Sequence, residues 1–289
     1  MIRFLVGILQ HPLGGIEGIM RFVRWQVGQV LVPYPVIYNF TEHSKVLLKK
    51  SMTGMTYNYY CKLQEFNDML FVLHFLREND LFVDIGANVG SYTLLASKEV
   101  GARSVSYEPI ESTWQILEFN VKLNKIEHLA TIKKICVGST VGHVKFTKNL
   151  DTMNHVSINE NEENTVEVPI DTLDNQLENE NPILIKIDTE GYEKEVLKGA
   201  QSTLKKSTLQ AIIVEINGSD KKYNSSSNEV VEHLRKAGFR PVAYSPIERK
   251  LTLVENLTTN GNTIFIKNIE LIQERVRTAN VFSVGERRF

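Results

Sequence analysis

Apolar residues recur with two different spacings along this chain, and their alternation predicts a regular order of helices and strands from residue 64 onward. Segments such as QEFNDMLFVLHFLREND show helical periodicity, whereas LFVDI and LQAIIVEIN are short apolar runs typical of buried strands. Such alternation predicts parallel strands joined by crossover helices on both faces of one sheet. The last two runs, FRPVAYS and NTIFIK, have no helix between them, so we expect an antiparallel final strand. The predicted fold is a doubly wound, mostly parallel α/β sheet of about seven strands.

An irregular region interrupts this alternation near the middle of the chain. TIKKICVG is predicted to form one strand, and GHVKFTKN and TVEVPI are expected to form two extra strands. Between these two lies the acidic, Asn-rich stretch DTMNHVSINENEEN, which we expect to be a solvated loop.

The first 56 residues differ in character from the region that follows, and they predict an N-terminal helical extension. Apolar residues recur there at helical spacing, namely Ile16, Ile19, Met20, Val23, Val27 and Val30. The prolines of VPYPVIY end this helix. We favour a lid or a dimer-packing helix; a peripheral membrane helix is the alternative, because Arg and Trp accompany the apolar face. The predicted parts are the extension 1–56, a main domain 57–270 and a polar tail 271–289.

Composition and charge limit the classes of function. The formal net charge of −1 gives no basic excess, so we expect no nucleic-acid partner. The two cysteines, Cys61 and Cys136, form no CxxC pair, which fits a reducing compartment and predicts a cytoplasmic protein. The N-terminus lacks the pattern of a secretory signal, and no run approaches the roughly 20 apolar residues of a membrane span. The sequence gives no indication of the oligomeric state.

A glycine-containing turn, VDIGANVGSYT, follows the first predicted strand of the main domain and has the features of a ligand site. Its pattern is D-x-G-x-x-x-G, formed by Asp84, Gly86, Ala87, Asn88 and Gly90. A dinucleotide site would need G-x-G-x-x-G to let the backbone approach a pyrophosphate. The carboxylate of Asp84 would repel a phosphate and attract an ammonium group. S-adenosylmethionine (SAM) carries an ammonium and a sulfonium and no phosphate, so the turn favours SAM.

The next predicted strand supports the same ligand. It ends in Tyr107-Glu108-Pro109, and Glu108 follows Asp84 by 24 residues. A carboxylate at the end of the neighbouring strand can accept hydrogen bonds from both ribose hydroxyls of a nucleoside. We therefore assign Glu108 and Pro109 to the cofactor site. Glu65, at the start of the preceding helix, is a further candidate for contact with the methionine end of SAM.

With these residues identified, the chain resembles the FkbM family of SAM-dependent methyltransferases from about residue 57 to 245. The resemblance is carried by LFVDIGANVGSYTLLAS, by SYEP followed by FNVKLN, by MNHVS and VPIDTLD, and above all by ILIKIDTEGYEKEVLKGA followed by IIVEIN. It implies a class I methyltransferase (Rossmann-like) fold, SAM as the cofactor, and O-methylation of a hydroxyl on a saccharide or another small molecule.

Methyl transfer to a hydroxyl requires a group that removes its proton, and four residues are candidates. Asp188 and Glu190 follow the strand ILIKID, and Glu215 ends the next strand. His155 lies in the central loop, and our hypothesis makes it the general base, with Asp188 or Glu190 positioning the hydroxyl. These oxygen ligands and one imidazole would suit Mg²⁺ or Mn²⁺, but the spacing does not demand a metal and we expect none to be required.

Three alternatives stay open at this point. The chain could be a non-catalytic SAM-binding module, although the acids at the strand ends argue against this. It could methylate a different acceptor, such as nucleic acid or protein; the absence of a Pro-Pro pair argues against a base-amine methyltransferase. An NAD-dependent oxidoreductase is the third alternative, and the missing middle glycine argues against it.

Overall fold

The computed structural model describes residues 1–50, 52–148, 154–157, 164–217, 223, 226–255, 257 and 261–289. Parts of the predicted loop DTMNHVSINENEEN lie outside these residues. The chain begins with helices and a small hairpin in the order α1 (Ile2–Gln10), α2 (Gly15–Leu31), β1 (Val36–Asn39), β2 (Lys45–Leu48), α3 (Thr53–Cys61) and α4 (Phe66–Phe75). α2 confirms the predicted N-terminal helix. α1 was not predicted, because it is short and ends just before Pro12.

The rest of the described chain alternates between strands and helices. Its first half contains β3 (Leu81–Ile85), α5 (Ser91–Leu94), β4 (Arg103–Tyr107), α6 (Glu111–Leu123), β5 (Ala130–Lys133), β6 (Cys136–Gly138), β7 (Gly142–Thr147), β8 (Thr165–Thr172), α7 (Leu173–Gln176) and β9 (Leu184–Ile187). Its second half contains α8 (Glu193–Lys198), β10 (Ala211–Ile216), α9 (Ser227–Lys236), β11 (Arg240–Ser245), β12 (Lys250–Leu253), β13 (Gly261–Ile266), α10 (Ile269–Arg277), β14 (Ser283–Val284) and β15 (Arg287–Arg288).

The central sheet has the predicted doubly wound, mostly parallel architecture. Its strand order in the described chain is β12-β11-β13-β10-β9-β3-β4-β5. β10, β9, β3, β4 and β5 are parallel, and β13 lies antiparallel between β10 and β11. This is the class I methyltransferase arrangement. Among the described residues the sheet has eight strands, one more than predicted, because β12 forms an antiparallel edge hairpin with β11. β12 is mostly exposed, so it lacks the apolar run that marks a buried strand.

A second, smaller sheet lies beside the central one and corrects one prediction. TIKKICVG does not form a single strand, because it divides into β5 in the central sheet and β6 in a three-stranded sheet of order β6-β8-β7. β7 and β8 are the two predicted extra strands, and they pair antiparallel. The break between β5 and β6 allows the chain to leave the central sheet and cover one end of it.

The N-terminal segment packs directly on the main domain. The backbone N–H groups of Lys45 and Leu47 donate to the side chains of Asn124, directly after α6, and Asn120, within α6, at 2.7 and 2.9 Å. α1 and α2 are supported by aromatic contacts, since Phe4 and Phe22 both pack against Tyr60. The boundary near residue 56 stays a prediction. Within the described chain, no helix has both the length and the apolar character needed to cross a bilayer.

The predicted polar tail also packs on the main domain. α10 lies against α4, and Arg275 forms an ion pair with Asp80. The ring of Phe289 packs edge-on against Phe66, with ring centroids 5.4 Å apart.

Candidate active site

A cavity of about 430 Å³ lies at the carboxyl ends of four parallel strands of the central sheet. This is the position where open α/β sheets bind ligands, and the volume is within the usual range for small-molecule sites. β3, β4, β9 and β10 each contribute lining residues. Further walls come from the helical N-terminal segment and from the smaller sheet, including Phe4, Tyr57, Asn58, Cys136, Phe146, Asn154 and Val156.

The glycine turn after β3 fits closely against the end of β9. Gly86 has a φ of +80°, and a Cβ at this position would lie 1.8 Å from the carbonyl oxygen of Asp188. Only glycine allows both this conformation and this approach. Ala87 and Asn88 line the cavity beside Gly86, and their contact with a cofactor stays a prediction. Gly90 does not line it; a Cβ there would lie 2.5 Å from Leu117 Cδ1, so Gly90 instead allows α5 to pack against α6.

Asp84 lies at the base of the cavity and is almost completely buried. The hydroxyl of Thr93 donates to its carboxylate at 2.9 Å, and Thr93 shares a second hydrogen bond of 2.7 Å with Ser106. Burial raises the pKa of Asp84 to about 6, although the charge of Lys186 and the bond from Thr93 oppose this shift. A positively charged ligand would stabilise the ionised form.

Glu108 is held at the end of β4 by two backbone groups. Its carboxylate oxygens accept hydrogen bonds from the N–H groups of Asn88 at 3.1 Å and Ile110 at 3.0 Å. Asn88 adopts a left-handed conformation with φ of 50°, which directs its N–H at the carboxylate. Burial raises the pKa of Glu108 to about 7, and the two N–H groups lower it in part. Each carboxylate oxygen retains a lone pair for a ligand hydroxyl, and Pro109 lines the cavity beside it.

A buried lysine that the sequence analysis missed connects the acids of the site. Lys186 lies on β9 beside Asp84 on β3, and its ammonium is 2.6 Å from the carboxylate of Asp188. The same ammonium is 4.7 Å from the ring centre of Tyr92. Burial alone would lower the pKa of Lys186, but Asp188, Glu65 and Asp84 raise it above its ordinary value. The signal in the sequence was a single charged residue inside the apolar run ILIKI.

Glu65 belongs to the same network at the start of α4. The hydroxyl of Tyr92 donates to its carboxylate at 2.6 Å. Burial raises the pKa of Glu65, and the charge of Lys186 opposes that shift. Asp68, one helical turn further along, was also missed; burial and then the charge of Glu65 raise its pKa to about 7. Glu65 lines the cavity, and its contact with the methionine end of SAM stays a prediction.

Asp188, Glu190 and Glu215 come together at the ends of β9 and β10. One carboxylate oxygen of each lies within 4.8 Å of the others. Burial, followed by the charges of Asp188 and Glu190, raises the pKa of Glu215 to about 9. Its Oε2 atom is buried and makes no hydrogen bond with the described residues. Acids this close do not all ionise together, so Glu215 holds the proton near neutral pH.

His155 is not brought to this cluster. The cavity lining includes its neighbours Asn154 and Val156 but not His155. The backbone of His155 pairs with Thr147, donating to Thr147 Oγ1 at 2.8 Å and accepting from Thr147 N at 2.9 Å. Successive side chains of an extended segment point to opposite sides, so the residues flanking His155 face the cavity and His155 does not. This placement argues against His155 as the general base.

The electrostatics of the cavity fit a cationic ligand. Its described lining contains a single basic residue, Lys186, and six acids, which are Glu65, Asp84, Glu108, Asp188, Glu190 and Glu215. A phosphate-bearing cofactor would meet these carboxylates without a basic partner of its own, because Lys186 is already paired with Asp188. SAM, with two cationic groups and two ribose hydroxyls, matches both the charge of the cavity and the acceptors on Glu108.

Comparison with known proteins identifies the family of this chain. The family model described as "Methyltransferase FkbM domain" matches residues 84–241, which is more than half of the chain. Among curated proteins no significant sequence match is found.

Several solved structures are similar to this chain at low sequence identity. Precorrin-6y C5,15-methyltransferase from Geobacter metallireducens is 15% identical, with a TM-score of 0.42 over 70% of this chain and 87% of that one. An rRNA methylase from Streptococcus thermophilus is 13% identical, with a TM-score of 0.41 over 69% and 93%. The O-methyltransferase from Bacillus cereus in complex with SAH is 14% identical, with a TM-score of 0.40 over 86% and 97%. The family assignment rests on the sequence match over residues 84–241.

Proposed function

Because the chain belongs to the FkbM methyltransferase family, and thus is a SAM-dependent methyltransferase, we propose that its acceptor is a hydroxyl group of a saccharide or another small molecule. The observation that carries this proposal is the group of three carboxylates formed by Asp188, Glu190 and Glu215. A hydroxyl loses its proton as it is methylated, so its site needs a proton acceptor within reach. Carboxylates next to the cofactor cavity provide one.

The residues that would hold SAM are those at the ends of β3 and β4. Glu108 would accept hydrogen bonds from the ribose hydroxyls, since Asn88 and Ile110 already fix its orientation. Asp84 and Glu65 would stabilise the positive charge of the methionine end. When bound, SAM supplies an electrophilic methyl group on a positively charged sulfur. The protein's contribution is to orient the acceptor in line with that group and to exclude water.

The three carboxylates would have different roles, which follow from their protonation states. Glu215 keeps its proton near neutral pH and would donate a hydrogen bond to an oxygen of the acceptor. Asp188 and Glu190 would accept the proton that the hydroxyl releases. Lys186 would stabilise the charge on Asp188 and fix its position through the 2.6 Å ion pair. His155 has no role in this scheme, and we expect His155→Ala to keep full turnover.

We also propose that no metal is required for turnover. The three carboxylates are close enough to hold a divalent cation. Lys186, however, already supplies a positive charge to this cluster from the buried side. Turnover that persists in EDTA would agree with this; loss in EDTA with recovery on added Mg²⁺ would contradict it.

The proposed acceptor class excludes nucleic acid. The near-neutral chain has a net charge of −1, and the cavity is lined by acids, whereas nucleic-acid binding depends on basic groups that neutralise phosphates. A direct test is incubation with methyl-labelled SAM and separate panels of saccharides, polyols, RNA and protein. The proposal predicts label on a hydroxyl compound. Label on RNA or protein alone would contradict the acceptor class, and SAM binding without any transfer would indicate a non-catalytic module.

A further inference from the structure

The two N-terminal helices expose apolar side chains on faces that the fold leaves open. On α2, five apolar residues spaced by three or four positions form one stripe, each between 47% and 81% exposed: Ile16, Met20, Val23, Val27 and Val30. α1 carries a second stripe with the same spacing, formed by Ile2, Val6 and Leu9. We call these two stripes together the N-terminal apolar surface.

The N-terminal apolar surface is not needed to attach the helices to the domain. The opposite side of each helix is already packed, with Ile8 of α1 and Gly18 and Trp25 of α2 buried. Phe4 and Phe22 both contact Tyr60, so the two helices pack against the same residue of α3. Each helix is therefore apolar on both sides, and only the inner side has a partner within the described chain. Exposed apolar surface of this extent marks an interaction site.

The charge distribution favours a negatively charged partner. Residues 1–50 contain six Lys and Arg against two Glu, a net charge of +4, whereas the remaining residues carry 27 Lys and Arg against 32 Asp and Glu, a net charge of −5. Arg3 and Arg24 are exposed on the two helices. Arg24 flanks the stripe of α2, because it lies about 80° around the helix from Ile16 at about 100° per residue.

We propose that the N-terminal apolar surface docks on an anionic lipid bilayer, with α1 and α2 lying in the headgroup plane. Amphipathic helices bind in this way when an apolar face enters the acyl boundary and basic residues meet anionic headgroups. The binding is peripheral, since no helix in the described chain can cross a bilayer. Pairing with a second copy is disfavoured, because it would bring two segments of charge +4 together.

Docking in this orientation would place the bilayer next to the cavity. Phe4 belongs to α1, and it lines the cavity while remaining partly exposed. The docking surface and one wall of the candidate active site are thus formed by the same helix. The proposal does not depend on the identity of the methyl acceptor.

The test is co-sedimentation of the full chain with vesicles. One set contains phosphatidylglycerol and phosphatidylcholine, and the other phosphatidylcholine alone, at low ionic strength. We expect at least tenfold stronger partitioning onto the anionic vesicles. Val23→Glu/Val27→Glu should abolish at least nine tenths of this binding. The matched control is Val141→Glu/Ile247→Glu, which places the same charges on exposed apolar residues outside the surface and should bind like the unmodified chain.

Two further measurements make the result decisive. Calorimetric titration with SAM shows that each variant is folded, and Arg24→Glu tests the charge contribution if the double variant does not fold. No binding of the unmodified chain to anionic vesicles, or equal loss in the stripe and control variants, would overturn the proposal. A dimer in sedimentation equilibrium that the stripe variant dissociates, without vesicle binding, would overturn it in favour of a second copy.

Discussion

The ammonium of Lys186 lies 2.6 Å from the carboxylate of Asp188, and this buried pair joins the two halves of the site. On one side of Lys186 in the sheet lies Asp84, the acid at the base of the cavity. On the other side of the pair, Asp188 belongs to the cluster with Glu190 and Glu215. A single positive charge therefore compensates acids that serve both the proposed cofactor and the proposed acceptor.

Removing this charge should destabilise the fold. Lys186→Met leaves Asp188 and Asp84 without their buried counter-charge, so we expect the free energy of unfolding to fall by about 3–5 kcal/mol. Urea denaturation measures this change. The control is Lys122→Met, which breaks an exposed ion pair with Glu118 and should change the free energy of unfolding far less. Equal stability of the two variants would show that Lys186 is not the compensating charge.

The stability of the unliganded protein should depend on pH through Asp84. The pKa of Asp84 is about 6 in the folded chain, compared with 3.8 for an aspartate in an unfolded chain. Between these two pH values the folded state therefore holds the proton more tightly than the unfolded state does. Stability therefore falls as pH rises from about 4 to 6, by up to roughly 3 kcal/mol for this group. Asp84→Asn should remove that part of the decline in urea denaturation at pH 4.5 and 6.5. An unchanged slope would contradict the raised pKa.

SAM affinity should depend strongly on Glu108. Glu108→Ala removes two acceptor oxygens for the ribose hydroxyls. It also leaves the N–H groups of Asn88 and Ile110 without the carboxylate to which they donate. A hydrogen bond to a charged group contributes about 1.5–3 kcal/mol, so we expect Kd for SAM to rise at least tenfold. Calorimetric titration gives the value. Glu111→Ala, an exposed acid on the same segment, is the control; an equal effect of both changes would exclude a specific contact by Glu108.

The acids of the cluster should differ in their effect on turnover with an identified acceptor. Asp188→Asn should lower kcat by about 10²–10⁴, the usual contribution of a general base. Glu215→Gln should lower kcat less than tenfold near pH 7, because Glu215 is already protonated there. In the unmodified enzyme kcat should decline above about pH 9, where Glu215 ionises. Glu215→Gln should not show this decline, because glutamine does not ionise. The opposite order of the two effects would identify Glu215 as the base.

The sequence predicted those parts of the site that follow from local pattern. Asp84 and Glu108 each end an apolar run, and parallel neighbouring strands must bring such ends together. Asp188, Glu190 and Glu215 converge for the same reason. The same logic predicted that the strand ending in Glu108 lies beside the strand that carries Asp84, as β4 and β3 do.

Features that depend on tertiary contact were missed. Lys186 has no local signal beyond its apolar surroundings, because its role depends on Glu65 and Asp84 from two other segments as well as on the nearby Asp188. The direction of the His155 side chain depends on the pairing of its segment with β7, which the sequence does not specify. The edge strand β12 is short and mostly exposed, so it lacks the apolar run of a buried strand. The helix α1 has only nine residues, and packing on the rest of the chain stabilises a helix this short.

A crystal structure with S-adenosylhomocysteine tests the central claim most directly. We predict that its ribose hydroxyls bind Glu108, that its ammonium lies near Asp84 or Glu65, and that Asp188, Glu190 and Glu215 face the space left for the acceptor. A ligand bound outside this cavity, or one whose ribose lies away from Glu108, would contradict the account.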